Sequence, residues 1–198
     1  LRQRTDEISK VHYDNFFDSA RQSGIVTLLV PVVQQVIVMA QKYDVVVTNP
    51  PYMGSSGMGE KLSKYVKKNY PDSKSDLFAV FIEKCGELTK QNGYQAMITQ
   101  HAWMCLSRLG KRQKKLLLND KVNMDHLGTR AFDDIGGEVV QTTSFVMRKS
   151  HTKEYKGTYC RLVEPTTQQG KEENFLCGKN RYSTAQYDFI QIPGTEIA

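Results

Sequence analysis

Asp44-Val45-Val46-Val47-Thr48-Asn49-Pro50-Pro51-Tyr52 governs how the rest of the 198-residue chain is read. The unbroken β-branched run Val45-Val46-Val47 suits a strand buried on both faces, as in a parallel sheet covered by helices. The two prolines beyond it cannot donate to a sheet ladder, so the strand stops abruptly at Asn49. Ligands of open α/β sheets bind beyond the carboxyl ends of the strands, which makes this tetrapeptide chemically privileged.

Downstream, a glycine-rich stretch (Gly54-Ser55-Ser56-Gly57-Met58-Gly59) precedes a basic helix expected over Glu60 to Asn69. Asp76 to Gln91 predicts the clearest helix, with Leu77, Val80, Phe81, Lys84, Cys85 and Leu88 on one stripe, Ser75 as N-cap and Gly93 closing it. Strands are expected at Tyr94 to Thr99, around Met124 to Leu127, at Val139 to Met147 and at Thr158 to Val163. A basic helix is expected over Ser107 to Leu118. Upstream, Val32 to Lys42 has helical spacing, and residues 1–24 suit a polar amphipathic helix. The alternation of strand and helix is that of an open α/β sheet. Three segments are expected: an N-terminal helical segment (1–42), a catalytic part (43–150) and a polar extension (151–198) leading toward another module.

The tetrapeptide offers specific chemistry. Asn49 presents a side-chain carbonyl oxygen, Pro50 a backbone carbonyl held by its fixed φ, and Tyr52 a flat aromatic face. Two convergent acceptors beside a stacking surface fit a planar molecule with an amino group, such as adenine. An aryl amine is a poor nucleophile because its lone pair is delocalised into the ring. Acceptors on its hydrogens localise that lone pair and stabilise the positive charge that develops during attack. No carboxylate pair or Ser-His-Asp set is needed.

Asn49-Pro50-Pro51-Tyr52 after a Val-rich strand resembles the catalytic motif of adenine-specific DNA methyltransferases. Asp76 to Lys84 resembles the helix that carries an aromatic against the adenine ring of S-adenosylmethionine. The resemblance therefore implies cofactor contacts at Phe81 and Pro51. Gly93-Tyr94 to Ala102-Trp103 resembles the next strand and turn. His126-Leu127-Gly128 with Phe132 resembles the loop whose aromatic packs on a flipped base. Val47 to Tyr70 is most similar to the large methylases of restriction–modification and BREX phage-exclusion systems. The implied fold is a Rossmann-like class I S-adenosylmethionine-dependent methyltransferase sheet, and the implied partners are double-stranded DNA and other defence-system subunits. That family opens its cofactor site with a Phe-x-Gly-x-Gly turn. None precedes Asn49, where Gly24 is the only glycine, and nothing after Ser150 matches it. With Leu1 rather than Met at the start, the expectation is the catalytic half of a methyltransferase domain without the glycine-rich cofactor half.

Other readings exist for the same residues. Asn and Pro favour simple turns. The same tetrapeptide also serves enzymes that methylate a protein glutamine or an RNA amine, and the chain as it stands would suit a non-catalytic DNA- or protein-binding module. Gly59 is followed by Glu60 rather than Lys-Ser/Thr, which argues against a nucleotide-hydrolase loop. A loop closing over the target nucleotide, or a plain surface turn, fits that stretch better.

The net charge of +6 is unevenly spread. Between Lys61 and Lys115 there are 12 Lys or Arg against 4 Asp or Glu, and the remainder is slightly acidic. That distribution suits a phosphate-tracking surface, with Lys111, Arg112, Lys114 and Lys115 as the densest DNA-contact candidates. A solvated helix face is the bland alternative. The four histidines share no ligand spacing, so no metal is assigned. Cys85, Cys105, Cys160 and Cys177 form no C-x-x-C pair and read as reduced thiols of a cytoplasmic protein. The most apolar stretch, Ile25 to Ala40, is shorter than the roughly 20 residues that span a bilayer.

Overall fold

The computed structural model describes residues 23–104, 119–132, 140–186 and 188, with 3, 6, 7 and 10. Residues 1–42 and 43–198 form two compact units. In the first, a π-helical turn at Ile25–Leu29 runs into α1 (Val30–Ala40). Pro31 is the second residue of α1, directly after this π-helical turn. No side chain of α1 is buried.

The second unit is a six-stranded mixed sheet. Its elements are β1 (Tyr43–Thr48), α2 (Glu60–Asn69), α3 (Leu77–Leu88), β2 (Thr89–Gln100), β3 (Asp120–Gly128), β4 (Thr142–Arg148), β5 (Lys156–Arg161), α4 (Gln168–Leu176) and β6 (Arg181–Ala185). The spatial order is β1-β2-β4-β3-β5-β6. β1 pairs parallel to β2 and β3 parallel to β5, whereas β4 and β6 run antiparallel to their neighbours. β4 is thus inserted between β2 and β3, and Ala96 faces Val146 while Met124 faces Phe145.

Period-2 alternation sorts the strands into two faces. On one, Met97, Phe145, Met147, Met124 and Tyr159 pack with Phe78, Ala79, Ile82 and Cys85 of α3 to form the main core. Two polar residues on this face are satisfied locally: Gln95 Nε2 donates to Ile82 O at 3.0 Å, and Trp103 Nε1 donates to Thr99 Oγ1 at 2.7 Å. Lys149 Nζ donates to Gly86 O and Thr89 O, tying the end of α3 to the strand layer.

The other face departs from expectation. Val45 is 56% and Val47 70% exposed, so β1 is not buried on both faces. Among the described residues, only the Val46 side of β1 packs against the core. A β-branched run reports a preference for strand, and coverage of both faces needs layers that the run itself does not supply.

The boundaries of α3 also differ from expectation. Asp76, not Ser75, caps α3, its side chain accepting from the Phe78 N–H at 3.3 Å. α3 ends at Leu88 rather than Gln91, and β2 begins at once with Thr89. Gly93 therefore lies within β2, where a Cβ would come 2.7 Å from Asp44 O, so close strand approach explains it better than a helix stop. The strand expected at Thr158 to Val163 is β5, Lys156–Arg161, and β6 pairs antiparallel outside it. The Ser107 to Leu118 helix lies outside the described residues.

At the opposite end of the sheet from Asn49, Arg148 bridges Asp120 at 2.9 Å and Asp120 also accepts from Ser150 and Thr152. Burial opposes the Asp120 charge, but these donors together hold its carboxyl below the usual carboxylate range. Its neighbour Lys121 is almost wholly buried, and desolvation pulls its ammonium down to about 7.

Candidate active site

β1 ends at Thr48, and its register opposite Met97 of β2 delivers Asn49 to the carboxyl rim of the parallel pair. Asn49 is exposed there, Pro50 is buried, Pro51 is exposed and Tyr52 is half-buried. The backbone is thus anchored at one proline while the amide side chain faces outward. Tyr52 meets Phe78 of α3 edge-on, with ring centroids 6.5 Å apart, and packs against the main core. Burial pushes its phenol above the ordinary range, so the hydroxyl stays protonated.

The loop beyond Tyr52 is held at several points. The Ser55 N–H donates to Ser75 O at 3.0 Å, the Leu77 N–H donates to Met53 O at 2.9 Å, and Gly54 bridges Asp76. The glycine-rich stretch contains a short 3-10 turn at Ser55–Gly57. Its anchor turn is tied down in the interior. Ser73 is fully buried and its Oγ donates to Glu83 Oε2 of α3 at 2.6 Å. A buried carboxylate is costly unless its oxygens are bonded, so this contact marks a demand on the position of the turn.

Glu83→Ala is expected to remove about 1–3 kcal/mol of stability by taking that acceptor from a buried hydroxyl. Glu83→Gln, which keeps a carbonyl acceptor, should recover most of it. Urea denaturation measures the loss, and amide exchange at Ser55 and Leu77 should accelerate only in the alanine variant. Equal exchange in both variants would show that the turn does not depend on Glu83.

Of the other sequence candidates, Phe81 is half-buried and packs against a second cluster formed by Met58, Val66, Tyr70, Leu77 and Val80. Phe132 is half-buried in the turn after β3. Lys111, Arg112, Lys114 and Lys115 lie outside the described residues. Trp103 belongs to the core, against Phe145. Asn49 also borders a cavity of about 340 Å³ on the sheet face opposite the main core, lined by Val47, Ala96, Ile98, Asn123, Asp125 and Ser144. Desolvation there raises the Asp125 carboxyl, although Ser144 Oγ donates to it at 3.0 Å.

Two features near the rim have little or no signal in the local sequence. The Ser73–Glu83 link has one faint trace, a carboxylate directly after the apolar stretch Val80-Phe81-Ile82. The second is a stacked pair, His101 and His126, with ring centroids 5.4 Å apart and planes 9° from parallel. Burial, then the neighbouring His101, keeps His126 below the ordinary imidazole range. His101 and His126 are distant in the chain, so only the strand register brings them together. Among the described residues, no group of three or more His, Cys, Asp or Glu is placed to hold a metal ion.

Residues 3–127 match the model of the Eco57I restriction-modification methylase family. The chain belongs to that family. It is 49% identical over 166 residues to the adenine-specific methyltransferase PglX of Lacticaseibacillus casei (strain Zhang), and 45% identical over 172 residues to the adenine-specific methyltransferase BrxX of Escherichia coli O9:H4 (strain HS). These alignments cover 81% and 86% of the chain but only 14% of either relative, so the chain spans about one seventh of their length. Among solved structures, a chain from a type I restriction–modification system superposes over 80% of this chain and 38% of its own, with a TM-score of 0.58 at 17% identity. The type ISP restriction–modification enzyme LlaBIII, solved bound to DNA, superposes over 90% of this chain and 14% of its own, with a TM-score of 0.51 at 14% identity. The mixed α/β sheet is thus one that restriction–modification proteins share. No helix among the described residues is long and apolar enough to cross a membrane.

Proposed function

We propose that this Eco57I-family chain carries the target-amine site of a DNA adenine methyltransferase that works in phage defence or restriction–modification. The observation that carries the reading is the placement of Asn49-Pro50-Pro51-Tyr52 at the carboxyl end of a parallel strand, with the amide exposed and the loop beyond it tied to α3. Asn49 Oδ1 and the Pro50 carbonyl accept the two hydrogens of the exocyclic amine, and Tyr52 offers its ring to the base. The adenine is flipped out of its duplex to reach them, at a cost of about a few kcal/mol.

S-adenosylmethionine supplies an electrophilic methyl group when bound. The residues present fit part of its site: Phe81 and Pro51 are the cofactor contacts in this reading, and exposure of Pro51 leaves it accessible. The chain's own contribution is to orient the amine, localise its lone pair and stabilise the charge that builds on nitrogen. The amine, cationic once methylated, then loses a proton to solvent, which the exposed rim admits. Double-stranded DNA and further defence-system subunits are the partners in this reading, and the cytoplasm the compartment. The relatives' names support adenine as the substrate over a protein glutamine or an RNA amine.

Full-length protein is to be given methyl-labelled S-adenosylmethionine with duplex DNA, RNA or protein in separate reactions. Label is expected on adenine of the duplex. Label confined to RNA or protein would overturn the reading.

A further inference from the structure

We propose that the solvent face of α2 is a DNA phosphate-contact surface beside Asn49–Tyr52, an assignment that rests on the DNA reading of that site. α2 has the sequence Glu-Lys-Leu-Ser-Lys-Tyr-Val-Lys-Lys-Asn. Lys61, Lys64 and Lys68 are spaced i, i+3 and i+7, so they share one face of the helix. All three are exposed, as are Lys67 on their flank and Lys74 in the turn beyond. On the opposite side Val66 is 1% exposed.

The charge on this face is only partly neutralised within the helix. Glu60 is the one acidic residue in α2 and pairs with Lys64 at 2.6 Å, which leaves Lys61, Lys67 and Lys68 with no acidic residue of the helix to balance them. A helix face whose role is only to be solvated commonly mixes signs along its i, i+4 pairs. Tyr65, 55% exposed, stands at the edge of the lysine face and leans on Tyr70, with ring centroids 6.2 Å apart. Lysines interleaved with an exposed aromatic suit a polyanion carrying planar groups.

The face is also held at a fixed offset from the amine site. Val66 and Tyr70 pack with Leu77 and Val80 of α3, and α3 contributes Phe78, on which Tyr52 rests. The chain between Tyr52 and α2 is pinned at Met53 and Ser55. Phosphates neighbouring a flipped nucleotide would therefore meet ammonium groups carried on a fixed helix. Each contact releases condensed counterions, which makes the surface readable by salt.

The test uses the full-length protein and a labelled duplex, with affinity measured from about 50 to about 200 mM salt. Lys61→Gln/Lys64→Gln/Lys68→Gln is expected to make the slope of log affinity against log salt shallower by about 3, equally for cognate and unrelated duplexes. The corresponding triple arginine variant should keep the wild-type slope, and Glu60→Gln should tighten binding. The unfolding midpoint and S-adenosylmethionine affinity should be unchanged in all three, because the altered side chains are exposed. An unchanged slope in the glutamine variant, with wild-type binding intact, overturns the assignment of α2 alone. Absence of salt-dependent duplex binding by the wild-type protein overturns the DNA reading with it.

Discussion

Asn49→Ala in the full-length protein is expected to lower methyl transfer to adenine by about 10²–10³-fold, with S-adenosylmethionine affinity within about twofold of wild type. The magnitude is that of removing one preorganised polar partner from a site where charge develops in the transition state. Attack requires the adenine amine to surrender conjugation with its ring, and in the proposed site the Asn49 carbonyl oxygen is the acceptor that favours that change. The Pro50 carbonyl, the other acceptor of the proposed site, survives the substitution and is expected to sustain a residual rate. Because Asn49 is exposed at the rim, little packing is lost, and stability should change by less than about 0.5 kcal/mol. Asn49→Asp keeps an acceptor but adds charge and removes a donor, so it should fall between the two. Single-turnover transfer of labelled methyl to a duplex measures all three. A rate within about tenfold of wild type for Asn49→Ala would remove Asn49 from the amine site.

Phe145→Ala is expected to be the most damaging single core truncation, at about 3–5 kcal/mol. Phe145 is 2% exposed in the centre of β4, and Trp103 packs edge-on against it with ring centroids 4.8 Å apart. The loss combines transfer of a large apolar side chain, the cavity left behind and the aromatic pair. Position compounds size, since β4 is the strand that joins β2 to β3. For a chain of this length the fall in unfolding temperature should be about 6–20 °C by calorimetry. Phe145→Leu, which leaves a smaller void, should lose less than half as much. A fall under about 3 °C for the alanine variant would mean that the core closes over the gap without help from Phe145.

Local signals make some of this legible. Glu60 to Asn69 is readable to the residue because its apolar and basic positions follow one helical period. The β1 strand and its abrupt end are readable because Val favours extended backbone and Pro50-Pro51 cannot continue a ladder. The end of α3 is not, because Thr89 to Gln91 suit a polar last turn as well as a strand start, and pairing of Tyr43 with Thr89 decides between them. The Asp76 cap lies one residue from Ser75, and both side chains are good caps.

Taken alone, the order of residues specifies the chemistry on offer: an amide, two prolines and a tyrosine after a β-branched strand, and a surplus of lysine downstream. These are properties of neighbours along the chain, where backbone propensity and side-chain type act within a few residues. Folding in three dimensions settles that β4 enters between β2 and β3, that only the Val46 side of β1 packs on the core among the described residues, and that His101 stacks on His126. It also joins Ser73 to Glu83 and thereby fixes the turn that holds the loop after Tyr52. Each of these is set by pairing and burial between distant residues, whose free energy depends on the shape of the partner surface and leaves no periodic trace in the chain.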